Sequence, residues 1–216
     1  SRFQVGECAA LGFKPRLALR LKGGTKRSDN PALTAVLRPR PGDANIAALS
    51  VAFPKSEFLD QSHIRTVCTR VQFASDQCPK GSVYGTVEAW TPLLDKPLRG
   101  NVYLRSSSNK LPDLVTDLRG PAEQPIRLEA AGRIDSVNGG MRSTFEFMPD
   151  APITRVVLKM QGGRKGLLEN SRNICAKAYR ANVRFTAHNG RAYAKSPKLQ
   201  VRCKGGKGGK KDKRSR

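Results

Sequence analysis

Lys14-Pro15-Arg16-Leu17-Ala18-Leu19-Arg20-Leu21-Lys22 alternates aliphatic and basic residues with a period of two. Successive side chains of an extended chain point to opposite sides, so Leu17, Leu19 and Leu21 share one face. Arg16, Arg20 and Lys22 share the other. The stretch reads as a β-strand with an apolar inner face and a basic outer face.

The same period recurs in Leu33-Thr34-Ala35-Val36-Leu37-Arg38, in Leu49-Ser50-Val51-Ala52-Phe53, and in residues 83–90, 143–148, 155–160, 181–185 and 199–202. Turn-forming residues separate these runs: Gly23-Gly24, residues 39–42, Asn138-Gly139-Gly140, Gly162-Gly163 and Asn189-Gly190. Asn-Gly suits the positive φ angles of a two-residue hairpin turn, so a hairpin is expected at Asn189-Gly190. Helical turns are expected only around residues 57–64, 166–170 and 112–117. Many short strands with regular turns predict an all-β fold, a sandwich or a barrel.

A longer spacing organises the chain. Pro41-Gly42-Asp43-Ala44-Asn45-Ile46 leads into a strand, a charged loop and Cys68. Pro149-Asp150-Ala151-Pro152-Ile153 leads into a strand, a Gly/Arg/Lys loop and Cys175. Asp43 and Asp150, Ile46 and Ile153, and Cys68 and Cys175 are each 107 positions apart. This reads as a tandem repeat: β-sandwich domain 1 over residues 9–121 and β-sandwich domain 2 over 122–203. Residues 1–8 then read as the end of an upstream copy, and 204–216 as a Lys/Arg/Gly tail.

The five cysteines, Cys8, Cys68, Cys78, Cys175 and Cys203, form no CxxC pair, and with only His63 and His188 no zinc site of ordinary spacing can be written. Disulfides are the expected use, which implies an oxidising compartment and a secreted or cell-surface protein. Connectivity stays open at this level. Pairing Cys68 with Cys78 and Cys175 with Cys203 suits the repeat and leaves Cys8 unpaired or intermolecular; Cys8 bonded to Cys68 or Cys78 is the alternative.

The formal net charge is +23, which draws the surface towards polyanions. Candidate contacts are Arg16, Arg20, Lys22, Lys26 and Arg27, and in the tail Lys207, Lys210, Lys211, Lys213 and Arg214. The tail has no apolar residue with which to offset its ordering entropy and is expected to be disordered. No run approaches the roughly 18 apolar residues of a membrane helix, so no transmembrane segment is expected.

No motif commits the chain to catalysis. A G-x-S-x-G elbow and a phosphate-binding loop are both missing. Asp60, Ser62 and His63 are sequence neighbours, an arrangement that suits loop packing or helix capping better than a triad. Asp43 and Asp150 suit turns better than calcium ligation. Tyr84 and Trp90 share a strand face, as a sugar-binding platform or, more commonly, as packing. No catalytic residue, metal ligand or cofactor is assigned, and the chain is read as a non-enzyme.

Three stretches carry a resemblance: Ser56-Glu57-Phe58-Leu59-Asp60-Gln61-Ser62-His63-Ile64-Arg65-Thr66-Val67-Cys68-Thr69-Arg70-Val71-Gln72-Phe73, Val102-Tyr103-Leu104-Arg105-Ser106-Ser107-Ser108-Asn109, and Gly132-Arg133-Ile134-Asp135-Ser136-Val137-Asn138-Gly139-Gly140. They are similar to segments of large, mostly uncharacterised secreted proteins of high-GC Gram-positive bacteria. The resemblance extends over nearly the whole chain except the basic tail. It implies tandem immunoglobulin-like β-sandwiches outside the cytoplasm, and it transfers no active residue.

The function expected from these readings is an extracellular structural, adhesion or assembly module. Its partners would be neighbouring copies or other surface proteins, with electrostatic attachment to anionic polymers. A nucleic-acid-binding basic protein is the alternative, disfavoured by sparse aromatic residues. A polysaccharide-acting enzyme is a second alternative, which would need two facing carboxylates.

Overall fold

The opening alternation becomes β1 (Arg16–Lys22), and the later runs become β2 (Ala32–Arg38), β3 (Ile46–Ala52), β5 (Val83–Trp90), β9 (Gly140–Phe145), β10 (Arg155–Met160), β12 (Asn182–Ala187) and β14 (Leu199–Val201). These belong to a computed structural model describing residues 8–203. The expectations for residues 1–7 and for the tail, including Lys207, Lys210, Lys211, Lys213 and Arg214, lie outside the described residues. The remaining strands are β4 (Glu57–Leu59), β6 (Leu98–Arg105), β7 (Asp113–Arg119), β8 (Arg127–Val137), β11 (Leu168–Asn170) and β13 (Ala192–Lys195). The Asn189-Gly190 hairpin forms between β12 and β13, with Gly190 at φ +79°.

Twelve strands make one sheet in the order β13-β12-β3-β9-β8-β7-β6-β5-β10-β2-β1-β14, and β4 pairs with β11 in a separate ribbon. Pairings are antiparallel except β1 with β14, which is parallel. The sheet curls back on itself. Its edge strands β13 and β14 are joined by residues 196–198 alone, a link that spans at most about 14 Å.

The order contains the repeat. The half β13-β12-β3-β9-β8-β7 and the half β6-β5-β10-β2-β1-β14 correspond strand by strand, with β1 to β7 matching β8 to β14. The strand β3 lies in the half otherwise built from later strands, between β9 and β12, and β10 lies between β2 and β5. The last strand departs from the correspondence, since β7 runs antiparallel to β8 while β14 runs parallel to β1.

The sheet runs across the expected boundary between domains 9–121 and 122–203. The boundary falls in the β7–β8 hairpin, within a continuous sheet, and each half holds two strands of the other repeat, β3 and β7 in one and β10 and β14 in the other. The reason is visible in the inner faces. Leu49, Val51 and Phe53 on and after β3 match Val156, Leu158 and Met160 on β10, and all six face one interior. Either strand therefore presents the alternation that either half requires. The chain is all-β, one curled sheet whose main core cluster draws on both halves, and the immunoglobulin-like pair of sandwiches is not confirmed.

The helical expectations are met only in part: residues 61–63 form a 3-10 turn capped by Asp60 within the expected 57–64, while the rest is corrected. Residues 57–59 and 168–170 form the β4–β11 ribbon, and 113–119 is β7. Burial on a shared apolar interior overrides the weak local helix signal there. The one α-helix among the described residues is α1 (Arg70–Ala74), started by a capping box. The Thr69 hydroxyl accepts from the Gln72 amide at 3.1 Å, and the Gln72 side chain accepts from the Thr69 amide at 2.9 Å. The helix sets Phe73 on the outer face of β6 and β7, against Cys68, Val115 and Tyr103. Arg105 and Arg127 cover that ring at 5.0 and 5.3 Å.

Candidate functional site: an apolar cavity within the curled sheet

The concave side of the sheet collects the inward-facing residue of every second position. One end is closed by the β4–β11 ribbon, which inserts Leu59 and Leu168 into the core together with the adjacent Leu167. At the other end lie the starts of β1 and β10, the ends of β2 and β5, and the connector 146–154 between β9 and β10. Between them is a cavity of about 180 Å³. It exceeds the roughly 150 Å³ apolar void that accommodates benzene.

Small residues leave this space unfilled. Ala35 on β2 lies opposite Leu158 on β10, and Ala130 on β8 lies opposite Thr116 on β7. Gly132 carries the Phe145 ring across its face, where a Cβ would meet the ring at 2.6 Å. Phe145 is thereby laid along the cavity wall. Thr116 and Ser143 are the polar residues of the strand walls, and the Thr116 hydroxyl donates to the Ala130 carbonyl at 3.3 Å. Glu129 and Gln161 stand at exposed margins. Walls this poor in hydrogen-bonding groups offer a polar ligand nothing in exchange for its water.

The closed end holds a buried polar pair. Ser171 donates its amide to the Ser56 carbonyl and Asp60 donates to Leu167, which makes Glu57 and Asn170 a non-hydrogen-bonded cross-strand pair with close side chains. Both are fully buried. Ser56 donates to one Glu57 oxygen at 2.7 Å, while Glu57 Oε1 and Asn170 Oδ1 have no partner among the described residues. Burial, opposed in part by the Ser56 hydrogen bond, pushes the Glu57 carboxyl up to about 7. A neutral Glu57 supplies a proton to an end of the sheet where each of the two side chains leaves one oxygen without a donor among the described residues.

Comparison with protein-family models, curated proteins and solved structures finds no match.

The residues singled out from sequence are scattered. Cys68 bonds to Cys78 and Cys175 to Cys203, and Cys8 is exposed and unpaired among the described residues. Two disulfides suit an oxidising, extracytoplasmic compartment. The first clamps the chain around α1, and the second ties the chain ahead of β12 to the end of β14. Arg16, Arg20 and Lys22 are exposed on the outer face of β1, with Lys26 and Arg27 exposed in the loop that follows. Arg20 is held by Gln200 across the β1–β14 ladder at 2.8 Å.

The neighbours Asp60, Ser62 and His63 form a brace. The Ser62 hydroxyl donates to Asp60 at 2.6 Å, and His63 Nδ1 lies 2.9 Å from the Gly166 carbonyl and 3.1 Å from Asp60. Burial raises the Asp60 carboxyl, but hydrogen bonds from Ser62 and Asn30 and the nearby His63 outweigh it and hold it below the usual range. The Ser62 hydroxyl gives its proton to Asp60 and not to the imidazole. Tyr84 is buried, donating to the His63 carbonyl at 2.8 Å, so it forms no exposed platform with Trp90. Asp43 accepts from the Lys14 amide and pairs with Arg40, and Asp150 accepts from Asn45 at 2.7 Å.

The cavity residues went unmarked in the sequence because each is an ordinary inner-face aliphatic. The available signal was the Ala at inner positions of β2, β5 and β8, Ala35, Ala89 and Ala130, where larger residues would have filled the core.

Proposed function

We propose that the protein is an extracytoplasmic binding protein that takes an apolar chain into the cavity of its curled sheet. The observation supporting this is an interior cavity lined almost entirely by apolar residues, with Thr116 and Ser143 on its walls and Glu129 and Gln161 at exposed margins as its polar residues. Apolar ligands are held by area removed from water, at roughly 25 cal/mol per Å². Such a site selects hydrophobic molecules by shape rather than by hydrogen bonds.

The test is titration with the fluorescent probe N-phenyl-1-naphthylamine, whose emission rises in apolar surroundings. Ala35→Phe and Ala130→Phe each place a ring in the cavity without changing a charge. Probe affinity should fall at least tenfold in both, with thermal unfolding still cooperative. Unchanged affinity in both folded variants would place the apolar site elsewhere.

A second reading, electrostatic attachment to anionic polymers as part of an adhesion or assembly module, is supported by the exposed strip Arg16, Arg20, Lys22, Lys26 and Arg27. It is compatible with the first, since the strip occupies the outer face and the cavity the inner one.

A further inference from the structure

The end of the sheet opposite the β4–β11 ribbon carries a row of arginines that the apolar cavity does not explain. Arg16 begins β1 and lies directly opposite Arg38, the last residue of β2. Val156 on β10 pairs with Leu37, so Arg155, one residue earlier, stands at the strand end beside Arg38. Arg155 in turn pairs with Trp90, the last residue of β5, and its guanidinium lies 4.7 Å from the centre of the indole. Four neighbouring strands thus present Arg16, Arg38, Arg155 and Trp90 in one line along the rim.

Like charges placed opposite one another in a sheet repel. None of the three arginines has an ion-pair partner among the described residues. The acids nearest in the chain are already engaged: Asp43 holds Arg40 at 2.8 Å, and Glu88 pairs with Arg99 at 3.3 Å. Arg155 Nε is buried without a hydrogen-bond partner, although the indole stack fixes its plane. A buried guanidinium N–H without an acceptor is costly to maintain. The residues that follow each arginine inwards, Leu17 and Val156, and Leu37 before Arg38, line the cavity. The arginine row and the apolar walls therefore end at the same rim on opposite faces of the sheet, one residue apart on three strands, so a guanidinium meets the cavity mouth by folding its stem over the strand end.

We propose that this rim binds the anionic head of an amphiphile whose hydrocarbon chain occupies the cavity, with Arg38 and Arg155 as the principal head-group contacts and Arg16 reinforcing them. This assignment rests on the apolar-chain reading above. The recognised chemistry is a carboxylate or phosphate joined to an alkyl chain. Arginine forks match both anions in a bidentate manner, while the flexible stem lets each guanidinium reach over the rim. Exposed apolar residues on the connections near this end, Leu93, Ile126 and Phe147, give the same end a surface suited to amphiphile sources such as a lipid layer.

The experiment displaces N-phenyl-1-naphthylamine from the full chain with palmitate, hexadecyl phosphate or hexadecanol, each below its micellar concentration. The two anions should bind at least about tenfold more tightly than the alcohol, as expected for charge-assisted hydrogen bonds near a desolvated rim. In Arg38→Gln/Arg155→Gln the preference should vanish while hexadecanol affinity stays unchanged, which also reports an intact cavity. Arg38→Lys/Arg155→Lys, which keeps the charge, should retain a reduced preference. Stronger binding of the phosphate than of palmitate would identify a phosphate-headed amphiphile, and the reverse a fatty acid. Equal binding of acid and alcohol to the unaltered protein would overturn the head-group assignment and leave the cavity reading standing. Failure of all three to displace the probe would remove the cavity reading itself.

Discussion

Glu57→Gln isolates the chemistry at the closed end of the sheet. Glu57 is fully buried opposite Asn170, and burial raises its carboxyl from an ordinary 4.5 to about 7. Between those two values the folded protein keeps a proton that the unfolded chain releases. Because stability rises with pH only where the unfolded state binds more protons, it must fall here as pH rises. The contribution is fully present below pH 4.5 and is lost as pH passes 7. The gap of 4.5 to about 7 corresponds to about 3 kcal/mol at 1.36 kcal/mol per pKa unit.

Glutamine has nearly the same shape, does not titrate, and brings an N–H to the buried end where Asn170 Oδ1 is without a partner among the described residues. Urea unfolding followed by the fluorescence of Trp90, the sole tryptophan, measures both proteins at pH 4 and pH 8. The two should be similar at pH 4. At pH 8 the variant should be more stable by about 3 kcal/mol, because it avoids a buried carboxylate beside an amide oxygen. Comparing the two proteins cancels the pH dependence of every other carboxyl group. A difference that stays constant from pH 4 to pH 8 would refute the assignment of a protonated Glu57, as would a variant less stable than the parent at pH 8.

The remaining predictions concern the bridges and the outer face. Loop-closure entropy makes Cys175–Cys203, which closes 28 residues, worth about 3.6 kcal/mol, and Cys68–Cys78, which closes 10, about 2.7 kcal/mol. Paired Cys→Ala variants should lower the urea midpoint accordingly, and the Cys68/Cys78 pair should also expose the bond after Arg70 to trypsin as α1 loosens; an unchanged cleavage pattern would show that Phe73 alone anchors the helix. Replacing Arg16, Arg20 and Lys22 by glutamine should reduce the slope of polyphosphate affinity against log salt by about two to three. The same slope in the variant would exclude the β1 strip as the polyanion contact.

The fold was legible to different depths along the chain. Residues 98–105, 113–119 and 127–137 supply three central strands, yet their alternation is interrupted by Gly100, Asp117, Glu129 and Gly132. Those residues make sense only beside their partners. Gly100 would bring a Cβ within 1.6 Å of the Asp117 carbonyl, and Asp117 is held by Arg119 and Arg127 at 2.9 and 2.8 Å. Glu57 and Asn170 likewise look like loop residues until they are seen paired across a buried ribbon.

Periodicity of two, turn chemistry and cysteine spacing determined by themselves that the chain is all-β, where most strands run, and that it repeats. The tertiary structure alone decided that β3 and β10 trade places and merge the repeats into one curled sheet. The inner faces of those strands match at an offset of 107 positions, so local pattern is equally satisfied by either arrangement. It also decided the cavity, because unfilled volume depends on which small residues meet across the sheet. The arginine row at its rim has the same origin: strands distant in sequence bring Arg16, Arg38 and Arg155 together, and no single segment contains them.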